Sequence, residues 1–154
     1  MLKQLLIASL LSSSLALMGC QSNMATSSAN ITTNNLTLLQ STTWIATKIG
    51  NDPIQYAQNS APRASLKFDA TTHRVTGTDG CNRLMGNYTV EKDRIQFEQM
   101  ATTRMACLNN NHLDQKFNQA LAKVTHYQVF GNTLKLLDRH GNPLLEFENI
   151  IQPR

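Results

Sequence analysis

Three cysteines carry most of the chemistry this chain can offer: Cys20, Cys81 and Cys107. A thiolate is at once a nucleophile, a soft-metal ligand and half of a disulfide, and its surroundings decide which. Met85, Met100, Met105 and His112 stand near the last two cysteines in sequence. Thiolate with thioether suits Cu(I). No CxxC, HxxxH or Met-repeat spacing holds the set together, however. Met100 and Met105 read equally well as core residues beside strands. A nucleophilic cysteine also needs a base within hydrogen-bonding reach. His73, His112, His126 and His140 are scattered, and His140 falls in a turn pattern. Each reads first as a surface or internally satisfied imidazole. The sequence carries no GxSxG, HExxH, P-loop or paired-carboxylate signature. The expectation is a protein that is not an enzyme, with no catalytic residue, no metal and no cofactor.

Cys20 stands apart from the other two. Lys3 gives a short positive region, and Leu5 to Leu17 an apolar run softened by serines. Such a run is too short to remain across a hydrocarbon core of roughly 30 Å, so residues 1–19 read as a signal peptide. Leu17-Met18-Gly19-Cys20 resembles a bacterial lipobox. That resemblance implies cleavage before Cys20 and acylation of its thiol and new amine. Three acyl chains exceed the two signals that stable anchoring takes. Gln21 and Ser22 follow, with no Asp, which by analogy with Gram-negative sorting favours the outer membrane.

With Cys20 lipidated, Cys81 and Cys107 remain as one possible intramolecular pair in an exported chain. A disulfide there is expected to add roughly 3.5 kcal/mol by the chain-entropy model. Two buried reduced thiols, or thiol chemistry, stay open as alternatives.

The 154 residues allow one domain with a tail. Net charge is +4, of which leader residue Lys3 supplies one. Lys and Arg are interspersed with acids, as in Lys92-Asp93-Arg94, without a basic run or aromatic platform. Nucleic acid is therefore not an expected partner. Residues 20–37 read as lipidated cysteine and flexible tether, because Ser, Thr and Asn dominate to Asn35. Such a tether of some 15 residues reaches about 20 Å. Three formal glycosylation sequons, at Asn30, Asn35 and Asn87, read as coincidence beside a lipobox.

From Leu38 to the end the pattern is that of strands. Apolar Leu66/Phe68, Tyr88/Val90, Ile95/Phe97 and Leu145/Phe147 alternate with polar neighbours. Trp44–Ile49, Arg74–Thr78, Tyr127–Phe130 and Thr133–Leu137 add further strands. Gly131-Asn132 reads as a tight hairpin, Gly141-Asn142-Pro143 as the last turn and Asn51-Asp52-Pro53 as the first. Strands at such spacing predict a sandwich or barrel. Leu113, Phe117, Leu121 and Val124 form a helical stripe, with an N-cap expected in Asn109-Asn110-Asn111. A helix of about 12 residues is expected to pack on the sheet or plug one barrel end.

Two stretches are similar to a known family. Gly77-Thr78-Asp79-Gly80-Cys81-Asn82-Arg83-Leu84-Met85-Gly86-Asn87-Tyr88 carries a G-C-N-x-x-x-G-x-Y block. Met100-Ala101-Thr102-Thr103-Arg104-Met105-Ala106-Cys107 carries an A-x-T-x-M-x-C block. Together they resemble the META domain, whose family includes HslJ-type heat-shock lipoproteins. The resemblance covers about residues 38–150. It implies a mainly β, barrel-like antiparallel sheet with one packed helix, in an envelope setting linked to stress tolerance. It implies no catalytic residue. Within the blocks, Gly77, Gly80 and Gly86 suit turns, bulges or close backbone approach. Asn82 is expected to fix a tight bend, Thr102 and Thr103 to cap or bridge, and Arg104 to be a surface charge or an orienting donor. Gly80, Asn82, Gly86, Tyr88, Thr103, Arg104 and Met105 form the expected scaffold or small binding surface.

The functional expectation is a lipid-anchored envelope protein that faces the periplasm from the outer membrane and binds an envelope protein or peptide. A small-ligand carrier with an open barrel is one alternative, in which Trp44, Phe68, Phe97, Leu136 and Phe147 would have to leave room. Thiol or copper handling through Cys81 and Cys107 is another.

Overall fold

The computed structural model describes residues 34–56, 62–107 and 110–149. Cys20, the signal peptide and most of the expected tether lie outside them. Residues 34–40 form a helix, α1. The strands are β1 (Thr43–Ile49), β2 (Asp52–Pro53), β3 (Ser65–Phe68), β4 (Arg74–Thr78), β5 (Arg83–Glu91) and β6 (Arg94–Thr102). A second helix, α2 (Leu113–Leu121), precedes β7 (His126–Phe130), β8 (Thr133–Leu137) and β9 (Pro143–Asn149).

Every strand pairing among the described residues is antiparallel, and each long strand pairs with its sequence neighbour. The first strand then returns to the last: Ala46 lies opposite Phe147, and Ile49 opposite Leu145. The sheet is therefore a ring of eight strands with β2 as a spur on β1. Of the sandwich or barrel that the strand spacing predicts, the mainly β ring is the barrel, as the family resemblance implies. Inward positions of the strands are mostly apolar and outward ones mostly polar, with Met85 and Phe130 as exposed apolar exceptions.

The interior is filled by side chains. Trp44, Phe68, Tyr88, Phe117, Phe147, Leu66, Leu134, Leu136 and Leu145 are all buried inside the ring. Phe68 meets Tyr88 edge-on at 5.1 Å between ring centroids, and Phe117 meets Phe147 the same way at 6.1 Å. Phe97 is half-buried against this cluster.

The helices differ from expectation in two ways. α1 falls where the sequence reads tether and strand, and Leu39 at its end is fully buried. The Trp44 indole N–H donates to the Leu39 carbonyl at 2.9 Å, which pins the helix to the first strand. α2 has nine residues, and its N-cap is His112 rather than a residue of the Asn run. His112 adopts a left-handed backbone and offers no side-chain cap. Asn110 supports the turn from outside, accepting the His112 N–H at 3.1 Å and donating to Asp114 at 2.8 Å. Of the predicted stripe, Phe117 and Leu121 are buried on the helix, Leu113 is half-buried, and Val124 is buried just past the helix end.

One junction in the ring is nearly unpaired. β6 and β7 share only the pair Arg94↔His126. Beyond it, the backbone of Ile95 reaches Thr125 at 3.1 Å, and Tyr127 reaches Asp93 at 2.9 Å. The rest of β6, from Gln96 to Thr102, faces α2 and the residues after it instead of a strand.

Candidate functional site

The β4–β5 turn builds the first part of the site. Asp79 is fully buried, yet its carboxylate has four donors. One oxygen accepts the backbone N–H of Cys81 at 3.0 Å and of Asn82 at 2.6 Å. The other accepts the side-chain amides of Asn82 at 3.1 Å and Asn118 at 2.8 Å. A short acidic side chain that bonds the backbone two and three residues on folds the chain into an Asx turn. Gly80 sits at φ +94, and a Cβ there would stand 2.7 Å from Leu113 Cδ2. The positive φ favours glycine, and a Cβ would also require the Leu113 side chain to shift.

Asn82 then reaches across. Its side-chain oxygen accepts the Met105 N–H at 2.8 Å, and its amide lies 3.6 Å from Cys107 Sγ. Thr103 adds a reciprocal clasp: its hydroxyl accepts the Arg83 N–H at 3.0 Å, and its N–H donates to the Arg83 carbonyl at 3.1 Å. Cys81 and Cys107 are joined in a disulfide. The expected pairing is present, and both thiols are consumed by it. The two sequence blocks therefore meet in one node, and Asn118 ties that node to α2.

Not every expected residue belongs to it. Gly86 lies on β5 opposite an extra residue of β6, where the register shifts and Gln99 takes φ +51. A Cβ at Gly86 would collide with Met100 Sδ and stand 3.0 Å from the Glu98 carbonyl. Tyr88 is a core residue: its hydroxyl donates to the Asp69 carbonyl at 3.1 Å and accepts from Gln40 of α1 at 2.8 Å. Burial pushes that hydroxyl up from its ordinary pKa, against the lowering effect of the Gln40 bond. Arg104 is exposed and takes the surface-charge role. Met105 is not a core residue. It is 62% exposed, because Asn82 holds its backbone inward and leaves its side chain outside.

The second part of the site is the parted seam. A cleft of about 610 Å³ lies between β6 and α2. Leu84, Phe97, Met100, Leu121 and Val124 supply apolar lining, and Gln96, Thr102 and Asn118 supply polar groups. Asn118 belongs to both parts, since it lines the cleft while donating to Asp79. The exposed lining is more polar than apolar, so the cleft is a mixed surface groove rather than the mostly apolar pocket typical of small-molecule sites. Asp79 and Asn118 were absent from the expected site. Asp-Gly before Cys-Asn carries an Asx-turn signal that would have found Asp79. Asn118 carries none, since only the tertiary packing of α2 brings it there.

The node joins the two blocks that carry the sequence resemblance, and a family model for the META domain matches residues 35–150. The chain belongs to the META domain family. Its fold recurs in solved structures. An NMR structure of a protein from Burkholderia xenovorans is 23% identical, with a TM-score of 0.59, over 95% of this chain and all of that one. A crystal structure of a duf4847 family protein from Bacteroides vulgatus ATCC 8482 is 14% identical, with a TM-score of 0.55, over 75% of this chain and 97% of that one. Another NMR structure is 21% identical, with a TM-score of 0.57, over 73% and 92%. These likenesses concern the fold. No curated protein matches the chain. In this META domain the paired blocks do structural work: they lock the β4–β5 turn, the segment after β6 and α2 together.

Proposed function

We propose that the chain is a lipid-anchored lipoprotein of the bacterial envelope, held at the outer membrane through Cys20 and facing the periplasm. Its META domain acts as a non-enzymatic binding module that supports stress tolerance, as the HslJ-type resemblance implies. The observation that carries this reading is the parted β6–β7 seam and the cleft beside it, lined by β6, α2 and the residues after α2. The groups with chemical potential support it as well. Both paired thiols sit in the disulfide, and the Asp79 carboxylate is engaged by four donors. A carrier with an open interior has less support, because aromatic and leucine side chains fill the ring. Thiol or copper handling has less support for the same reason that the disulfide is formed.

Complementation of a deletion strain tests the proposal. Gln96→Arg and Ala122→Arg place a charge in the cleft at exposed positions and leave the core untouched. Both variants are expected to fold, yet to fail in restoring tolerance to heat and envelope-penetrating antibiotics. Unchanged tolerance in the deletion strain itself would sink the functional reading. Full rescue by both variants would remove the cleft from it.

A further inference from the structure

The outward side of β3, β4 and β5 carries cations that take part in neither ion pair of the described residues, although Lys67, after the Thr72 hydrogen bonds, helps hold the Asp69 carboxyl below its ordinary range. Register fixes the arrangement of these cations. Lys67, Thr76, Met85 and Ala101 form one row across four strands. Arg83 lies two residues before Met85 on the same strand, and Arg74 shares the next row with Asn87 and Glu98. Side chains two apart on a strand sit roughly 7 Å from one another, and adjacent strands lie about 4.8 Å apart. The Thr103–Arg83 clasp leads the chain from the corner of this face into Arg104 and Met105, both exposed. Lys67, Arg74 and Arg83 share this face with solvent-facing Met85, and Arg104 and solvent-facing Met105 follow from its corner. Met85 is 47% exposed and Met105 62%. Two carboxylates border the face. Glu98 stands at its edge, and Asp69 is turned onto the backbone of Thr71 and Thr72.

The opposite wall is different. Lys48 and Lys135 converge on Glu146, at 3.1 and 3.9 Å. These are the ion pairs among the described residues, and none involves the four cations of the β3–β5 face.

We propose that this face docks on an anionic lipid surface, with Lys67, Arg74, Arg83 and Arg104 against headgroup phosphates and Met85 and Met105 dipping among the headgroups. The argument is charge complementarity. Each basic residue held near an anionic leaflet contributes about a fivefold shift in the docked population, and the effect fades beyond a Debye length. Long basic side chains lay their stems on apolar surface and keep their charge at the headgroups. Methionine adapts to an irregular apolar boundary. A second copy of the chain does not fit, since a symmetric contact would set four cations against four. The inference rests on the lipid-anchored reading, which keeps the domain within reach of a leaflet.

The test uses the full-length, envelope-extracted protein in vesicles rich in phosphatidylglycerol and, separately, in pure phosphatidylcholine. Peroxide oxidation of each methionine is followed by mass spectrometry, with half-buried Met100 as internal reference. Oxidation of Met85 and Met105 is expected to slow several-fold on the anionic vesicles alone. High salt should restore it in the unaltered protein. The variant Lys67→Gln, Arg83→Gln, Arg104→Gln should restore it at low salt, with unchanged thermal stability. Equal rates on both vesicles would overturn the proposal. So would equal slowing on neutral lipid, slowing without vesicles, or slowing that survives salt. The intact mass of the same sample separates the two ideas. A mass without acyl chains defeats the anchor reading, and the methionine rates on added vesicles still decide the face.

Discussion

The two edges of β6 meet their neighbours in different ways. Toward β5 it pairs at seven positions, from Glu91↔Arg94 to Leu84↔Thr102, and Thr103 extends the contact to Arg83. Toward β7 it pairs at Arg94↔His126 alone. One strand thus belongs to a tight hairpin on one side and to an open seam on the other. The difference shows that the ladder does not hold this barrel shut at every junction. At the seam a cleft separates β6 from α2, which packs against β9 and β1 and is tied to the node by Asn118 on Asp79. Binding surface appears where backbone pairing gives way to side-chain support.

Removing the disulfide should therefore have the largest effect, and an uneven one. With a sequence separation of 26, the chain-entropy model assigns it about 3.5 kcal/mol. Chemical denaturation of the Cys81→Ala, Cys107→Ala variant is expected to show a loss of that size. Native-state hydrogen exchange should show where it falls. The amides of Ile95 and Tyr127, which cross the seam, should lose protection well before those of the β1–β9 junction. Uniform loss across the ring would mean that the node does not hold the seam in particular.

Asp79→Asn should come second. It keeps the volume but turns one acceptor into a donor, so that two of four buried donors face another donor. A buried donor left unpaired costs about 1–3 kcal/mol, and the variant is expected to lose about 2 kcal/mol in urea. Met105 and Asn118 stay in place only if Asn82 and Asp79 hold them. The same seam amides should exchange faster, while the β5–β6 hairpin stays protected. A stability loss without faster exchange at the seam would separate the node from ring closure.

Much of the ring was legible in the sequence, because period-two alternation reports directly on a sheet with one dry face. Leu66/Phe68 and Leu145/Phe147 are buried as that pattern requires. The Gly131-Asn132 hairpin and the Phe117–Leu121–Val124 stripe are where they were read. The Cys81–Cys107 disulfide was one of the readings that the cysteine count and an expected export left open, and the structure forms it. What escaped depends on tertiary contact. α1 has too short an apolar pattern to announce itself, and it is fixed by bonds from Trp44 to Leu39 and from Gln40 to Tyr88. Met105 resembles a core residue in sequence, and only the Asn82 clamp turns it outward. Nothing in Arg94–Thr102 distinguishes a strand paired on both edges from one paired on a single edge. The seam, and with it the cleft, was not readable before the register was known.

The contrast between the two edges extends to a pair of tyrosines, and here the expected effect is smallest. Tyr88, on the β5 side, has a donor and an acceptor for its hydroxyl. Tyr127, at the seam, is 3% exposed, and its hydroxyl has no hydrogen-bond partner among the described residues. Removing a paired hydroxyl leaves Gln40 without its acceptor, so Tyr88→Phe should cost about 1 kcal/mol. Tyr127→Phe removes only a buried polar atom, and it should be neutral or stabilising by up to about 1 kcal/mol. Alkaline pH sharpens the comparison. Burial, then Asp93 and Tyr88, push the Tyr127 hydroxyl above its ordinary value. A raised pKa in the fold means that the unfolded chain releases its proton first. The stability linked to the neutral form is therefore complete below the unfolded value of about 10 and is lost as pH rises through the folded one. Tyr127→Phe escapes that loss. Its stability relative to the unaltered protein should improve from neutral pH to the alkaline side, as measured by urea midpoints at each pH. A constant difference across that range would mean that the seam hydroxyl is solvated as freely in the fold as in the unfolded chain, and the seam would then be wetter than its burial implies.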